Sequence, residues 1–193
     1  MATSISAKRL VLTLNAGSST LKYALFEAGE NSRVGARIAS DTLERRRGAG
    51  NDDTSLLEAV FKVMEERGGI SRLAAVGHRI VHGGARYDHS VIVTDAVIEE
   101  LKTLSDLDPD HMPAELAILE TTRAKLPNVP QIACFDTAFH RSMPRVARIV
   151  PIPRLYEAQG IQRYGFHGLS YTFLMGELER VAGAEASKGR VVI

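Results

Sequence analysis

The chain has 193 residues, 45% of them hydrophobic, with 24 basic and 23 acidic side chains and a formal net charge of +1. That near-balance gives no global field for nucleic acid or an anionic membrane, and no stretch reaches the ~20 apolar residues of a membrane span. Cys134 stands alone, which excludes a disulfide framework and a thiolate metal cluster; its apolar neighbours mark it as a small buried hydrophobe.

The N-terminal residues, MATSISAKRL, lack the apolar core of a secretory signal, so a cytoplasmic protein is expected. Three strands are predicted first, over residues 10–14, 21–27 and 34–38, separated by short turns as in an antiparallel meander. Residues 39–53 are polar and charged and read as a loop, with Arg45-Arg46-Arg47 solvated in it. Ser55 and Glu58 form a capping box for a helix to about residue 67, whose apolar face carries Leu56, Leu57, Val60, Phe61 and Met64. A strand over 74–81 follows, then a helix capped by Thr94 and another opened by Pro113 that stops before Pro127. Residues 131–135 make a short strand. Pro144, Pro151 and Pro153 mark an irregular seam. Ser170 caps a last helix with Phe173, Leu174, Leu178 and Val181 on its buried side, and residues 190–193 begin a strand. The order β-β-β-α-β-α-α-β-α predicts an α/β fold, a meander leading into parallel crossovers.

Four stretches carry chemistry. In VLTLNAGSSTLK an apolar strand breaks at Asn15 into a small-residue loop: Gly17 permits close backbone approach, Ser18, Ser19 and Thr20 supply hydroxyls, and Lys22 adds a mobile cation. Those residues are also the usual turn formers, and a hairpin whose turn grips phosphate satisfies both readings. Neither GxxxxGK[ST] nor GxGxxG occurs. In GHRIVHGG, Arg79 and Val81 share one side of a strand, a planar guanidinium beside an apolar residue, suited to a small carboxylate or a phosphoryl group. An edge arginine facing water is the plainer alternative. His78 and His82 would lie about 13 Å apart on that strand, too far for one metal ion. Asp136, in FDTAFH, sits at the carboxyl end of a strand, where α/β folds bind ligands, or else caps a turn. His167, in YGFHG, precedes a helix N-terminus and can meet an anion there, or else is a packed loop histidine.

In this order, NAGSSTLK, GHRIVHGG, FDTAFH and YGFHG resemble the N-terminal part of the acetate kinase family across nearly the whole chain. The resemblance implies the ribonuclease-H-like fold of the actin, hexokinase and Hsp70 ATPases, with residues 1–148 as a first domain and 149–193 opening a second. It implies reversible transfer of the ATP γ-phosphoryl group to the carboxylate of acetate, with magnesium. Carried over by position, Asn15 falls near magnesium, and Lys22, with Ser18 and Thr20, at the ATP phosphates. Arg79 binds the carboxylate, Val81 and Phe166 line the acyl pocket, Asp136 is the active-site aspartate and His167 stabilises the transition state. The expected partners are acetate and ATP or ADP, with no nucleic acid or membrane, and a homodimer for the full-length protein.

Two departures stand out. The family's loop LAPLHNP reads LDPDHMP here, placing Asp110 where a pocket leucine is expected and Met112 for an asparagine; Leu107 from a shifted loop is expected to fill the gap, the alternative being a changed choice of substrate. Val191-Val192-Ile193 echoes the opening strand, Val11-Leu12, and in the family leads to a second phosphate loop absent here. The isolated chain is therefore expected to be inactive. The rival reading is a non-catalytic fragment or split-gene product that binds anions or a complementary half, and propionate kinase is the alternative within the class.

Overall fold

The computed structural model describes residues 8–29, 34–45 and 52–192. By contacts the chain divides into two compact units, Met1–Arg79 with Val91–Ala133, and Ile80–Ser90 with Cys134–Ile193.

The elements up to residue 135 are β1 (Leu10–Ala16), β2 (Thr20–Ala28), β3 (Val34–Glu44), α1 (Asp52–Glu66), β4 (Leu73–Ile80), β5 (Val91–Ile92), α2 (Asp95–Thr103), α3 (Met112–Lys125) and β6 (Gln131–Phe135), all in the first unit save Ile80, Cys134 and Phe135. The six strands form one sheet in the order β3-β2-β1-β4-β6-β5. β1 pairs antiparallel with β2 and parallel with β4, and β2 pairs antiparallel with β3, as the meander-then-crossover pattern requires. Strict alternation buries Leu10, Leu12, Leu14 and Ala16 of β1 and Leu21, Tyr23 and Leu25 of β2. They pack with Leu57, Val60 and Met64 of α1 and Ile118 of α3. Each fully buried leucine contributes roughly 1.5–3 kcal/mol, and a one-residue slip would turn the whole set to the other face. The alternation therefore fixes where Asn15 and Lys22 project. Thr94 caps α2 as its sequence predicts, its hydroxyl accepting from Val97 N at 3.3 Å.

The second unit continues from the ends of β4 and β6. It carries a 3-10 segment (Asp136–Ser142), α4 (Arg145–Arg148), α5 (Leu155–Ala158), α6 (Gly168–Ala182) and α7 (Ala184–Ser187).

Several local expectations are corrected. β3 runs past residue 38 to Glu44, because β2 extends to Thr20 and offers a ladder as far as Thr20↔Glu44. Helix α1 begins at Asp52, with Asp53 in its first turn where the helix dipole favours a carboxylate; Ser55 is interior, and Glu58 pairs with Lys125 at 3.3 Å. Helix α6 begins at Gly168, so Ser170 is not its cap. Its supposed inner face is open, with Phe173 67% and Val181 72% exposed. Residues 190–192 join no described strand, and 193 lies outside the described residues. Cys134 is half-buried. No described helix is long and apolar enough to cross a membrane.

Candidate active site

In the first unit the site residues lie at the β1–β2 turn and along β4. NAGSST closes a hairpin, with Gly17 N donating to Thr20 O at 2.8 Å, and Asn15 stands directly opposite Lys22 in the register. Cross-strand partners share a face, so both side chains project on the side away from the leucine core. Ser18 and Lys22 are exposed and Thr20 is half-buried. Arg79 is brought to the same place by the parallel pairing of β1 with β4. Its Nη1 donates to Asn15 Oδ1 at 3.3 Å and to Glu115 Oε1 at 3.4 Å. The Glu115 side chain is wholly buried and that of Arg79 is 21% exposed. A buried carboxylate needs such a partner, so the pair fixes the guanidinium at the mouth of the hairpin. The water-facing edge arginine is thereby replaced by a tethered one.

Arg45 is a residue that sequence reasoning placed wrongly. It is not solvated: its backbone N donates to Ser19 O at 2.9 Å, its Nε donates to Gly17 O at 3.0 Å, and its guanidinium pairs with Asp53. It clamps the small-residue turn from behind. Arg46 and Arg47 lie outside the described residues. Leu107 is 56% exposed, not tucked inward, and Asp110 is exposed too, because this stretch is a short surface 3-10 turn ahead of α3.

The second unit contains Val81, Asp136, Phe166 and His167, the last three at or leading into the start of α6. Asp136 is buried, and its Oδ1 accepts from Leu169 N at 3.2 Å, which satisfies one of the donors a helix start leaves open. Gly168 is needed there, since a Cβ would stand 1.9 Å from Asp136 O. His167 caps the helix at φ 60°, the one positive-φ non-glycine residue among those described. Such backbone costs about 1 kcal/mol or more and is maintained where the surroundings over-determine it. Phe166 is 38% exposed and Val81 is buried.

Two further histidines hold this loop; sequence reasoning weighed His82 only as a metal ligand and did not single out His140. His82 Nδ1 accepts from Gly84 N at 2.8 Å, which puts the ring proton on Nε2, and its ring lies edge-on to Tyr164 at 4.4 Å and to Phe166 at 5.8 Å. His140 donates from Nε2 to Phe166 O at 2.9 Å, and Gly165 packs so tightly on its ring that a Cβ would stand 2.4 Å from it. The alternating small and aromatic residues of YGFHG were the available signal.

No group of three or more His, Cys, Asp or Glu able to hold a metal occurs among the described residues. At the turn the Asn15 amide oxygen already accepts from Arg79, and a single neutral oxygen of this kind suits an ion whose other ligands are water and phosphate.

Residues 10–193 match the model of the acetokinase family. Acetate kinase of Rhodopseudomonas palustris is 40% identical over 206 residues, covering 95% of this chain and 51% of its own length. That of Clostridium kluyveri is 37% identical over 207 residues, covering 94% and 50%. Among solved structures, a propionate kinase from Francisella tularensis superposes at a TM-score of 0.72 with 27% identity, over 90% of this chain and 49% of that one. Porphyromonas gingivalis acetate kinase does so at 0.72 with 28% identity, over 91% and 49%. The fold is thus the one the motifs imply, that of the actin, hexokinase and Hsp70 ATPases. The chain spans about half the length of the curated relatives it matches.

Proposed function

The chain belongs to the acetokinase family, and from that premise we propose that it supplies the phosphate loop and carboxylate receptor of an acyl kinase. The reaction is reversible transfer of the γ-phosphoryl group of ATP to the carboxylate of acetate. The observation that carries this reading is the 3.3 Å bond from Arg79 to Asn15, which ties a guanidinium fork to the opening residue of the small-residue turn.

A carboxylate is already nucleophilic, so the site needs alignment and charge neutralisation more than a strong base. Arg79 is assigned to the acetate carboxylate, its planar fork matching two oxygens. Lys22, with the hydroxyls of Ser18 and Thr20, is assigned to the ATP phosphates. His167 is assigned to the equatorial oxygens of the phosphoryl group in flight, and Val81 and Phe166 to the methyl group. Asp136 is assigned an orienting role, in keeping with its hold on the start of α6. Magnesium, when bound with ATP, neutralises phosphate oxygens, and Asn15 is the residue assigned to it. A homodimer, a cytoplasmic location and a domain boundary near residue 148 belong to the same reading.

Propionate is the second reading for the substrate, because the Francisella propionate kinase superposes as well as the acetate kinase does. One extra methylene is worth only about 1–3 kcal/mol.

The test fuses residues 1–193 to the C-terminal half of the Rhodopseudomonas palustris relative. Arg79→Lys retains a cation for Glu115 but removes the fork. It is expected to lower kcat/KM for acetate about 100-fold with little change in KM for ATP. Unchanged acetate kinetics would refute the assignment of Arg79, and a folded, unaltered fusion that forms no acyl phosphate would favour a non-catalytic anion-binding module.

A further inference from the structure

Within the second unit, a cavity of about 140 Å3 lies between the 3-10 segment, residues 84–88, and the stretch that leads into YGFHG. None of the residues assigned to phosphoryl transfer lines it. Its wall carries Arg141, Arg148 and Arg163 with His140 and Tyr164, against the single carboxylate of Asp88. That carboxylate is already engaged, accepting from His89 Nδ1 at 2.6 Å. The cavity is therefore strongly cationic.

Arg148 makes the case specific. Its Nε is buried and has no hydrogen-bond partner among the described residues. Glu157 lies close enough to Arg148 to feel its charge, but its two oxygens accept from Arg145 Nε and Nη2 at 2.7 and 2.6 Å. An unmatched buried donor leaves the Arg148 guanidinium with hydrogen-bonding capacity unspent. The backbone holds Arg148 and Arg163 in register, with Arg163 N donating to Arg148 O at 2.7 Å. Thr137 Oγ1 accepts from Gly83 N at 3.0 Å, so its hydroxyl proton can be donated toward the same space.

We propose that this cavity is a second anion site, for a small tetrahedral oxyanion of the phosphate class, separate from the phosphoryl-transfer residues. Its size sets the ligand: it has room for roughly five waters, well under the ~300 Å3 at which pockets begin to admit a nucleotide-sized molecule. Three guanidinium forks suit the oxygens of a phosphate better than they suit one planar monocarboxylate. Tyr164 and Gly165 form part of the wall and directly precede Phe166 and His167. A bound anion would therefore brace the loop that carries those two side chains.

The experiment follows backbone amide shifts of the 193-residue chain as inorganic phosphate is added at constant ionic strength. Saturable shifts are expected at the amides of Arg148, Arg163, Tyr164 and Gly165, with a dissociation constant of roughly millimolar order. Arg148→Gln and Arg163→Gln should each weaken binding about tenfold, while Lys22→Gln should leave these shifts intact. Sulfate should compete and acetate should not. Absence of saturable shifts at these amides in the unaltered chain would overturn the proposal. So would shifts confined to residues 15–22, or binding unchanged in both arginine variants.

Discussion

At the scale of single residues, His167 is the position where backbone and side chain make opposite demands. Its φ of 60° suits glycine or asparagine, yet an imidazole stands there. His167→Asn is expected to keep stability within about 0.5 kcal/mol, and His167→Val to lose about 1–2 kcal/mol, because a branched side chain fits that conformation worst. Urea unfolding of the two variants reads the difference; equal stabilities would mean the left-handed backbone relaxes freely. His78 tests a different kind of coupling. It is buried on β4 with its Nε2 2.8 Å from Gln131 Oε1. Desolvation drives its pKa down to about 4, partly opposed by that hydrogen bond. The unfolded chain binds the proton below about 6.5 and the folded chain does not until about 4, so this contribution to stability is full above 6.5 and is lost as pH falls through that window. The slope is ~1.4 kcal/mol per pH unit and the total about 3 kcal/mol. Subtracting the pH profile of His78→Gln from that of the parent isolates it. Parallel profiles would show that His78 titrates normally.

At the scale of elements, helix α6 carries two glycines with opposite expectations. A Cβ at Gly168 meets Asp136 O and Phe139 Cβ, whereas one at Gly176 meets nothing within 4 Å. Gly168→Ala should cost about 1–3 kcal/mol, and Gly176→Ala should stabilise by about 0.5–1 kcal/mol. Melting both variants checks the sign of each. The same helix shows what a sequence hides. Ser170 has the chemistry of a cap, but the start was decided by Gly168 fitting under Asp136, a contact 32 residues apart in sequence. Likewise the polar run after residue 38 reads as a loop until its ladder with β2 is seen. Elements whose burial follows a strict period, such as β1 and α1, were legible, because period alone sets their inner face.

At the scale of the whole molecule, the candidate site was legible as a set of residue types and illegible as a set of supports. Asn15, Lys22 and Arg79 stood out because a small-residue turn and a strand arginine carry recognisable chemistry. Glu115, Arg45, His82 and His140 did not, since each acts through a partner fixed only by folding. The spread of the family match over residues 10–193, against about half the length of its relatives, concerns the molecule as one piece of chemistry. The most direct measurement is acyl-phosphate formation from acetate, ATP and magnesium, trapped as the hydroxamate. It compares the 193-residue chain alone with its fusion to the C-terminal half of the Rhodopseudomonas palustris relative. Product is expected from the fusion and none from the chain alone. Robust turnover by the isolated chain, or a folded, ATP-binding fusion that forms no hydroxamate from acetate or propionate, would contradict the assignment.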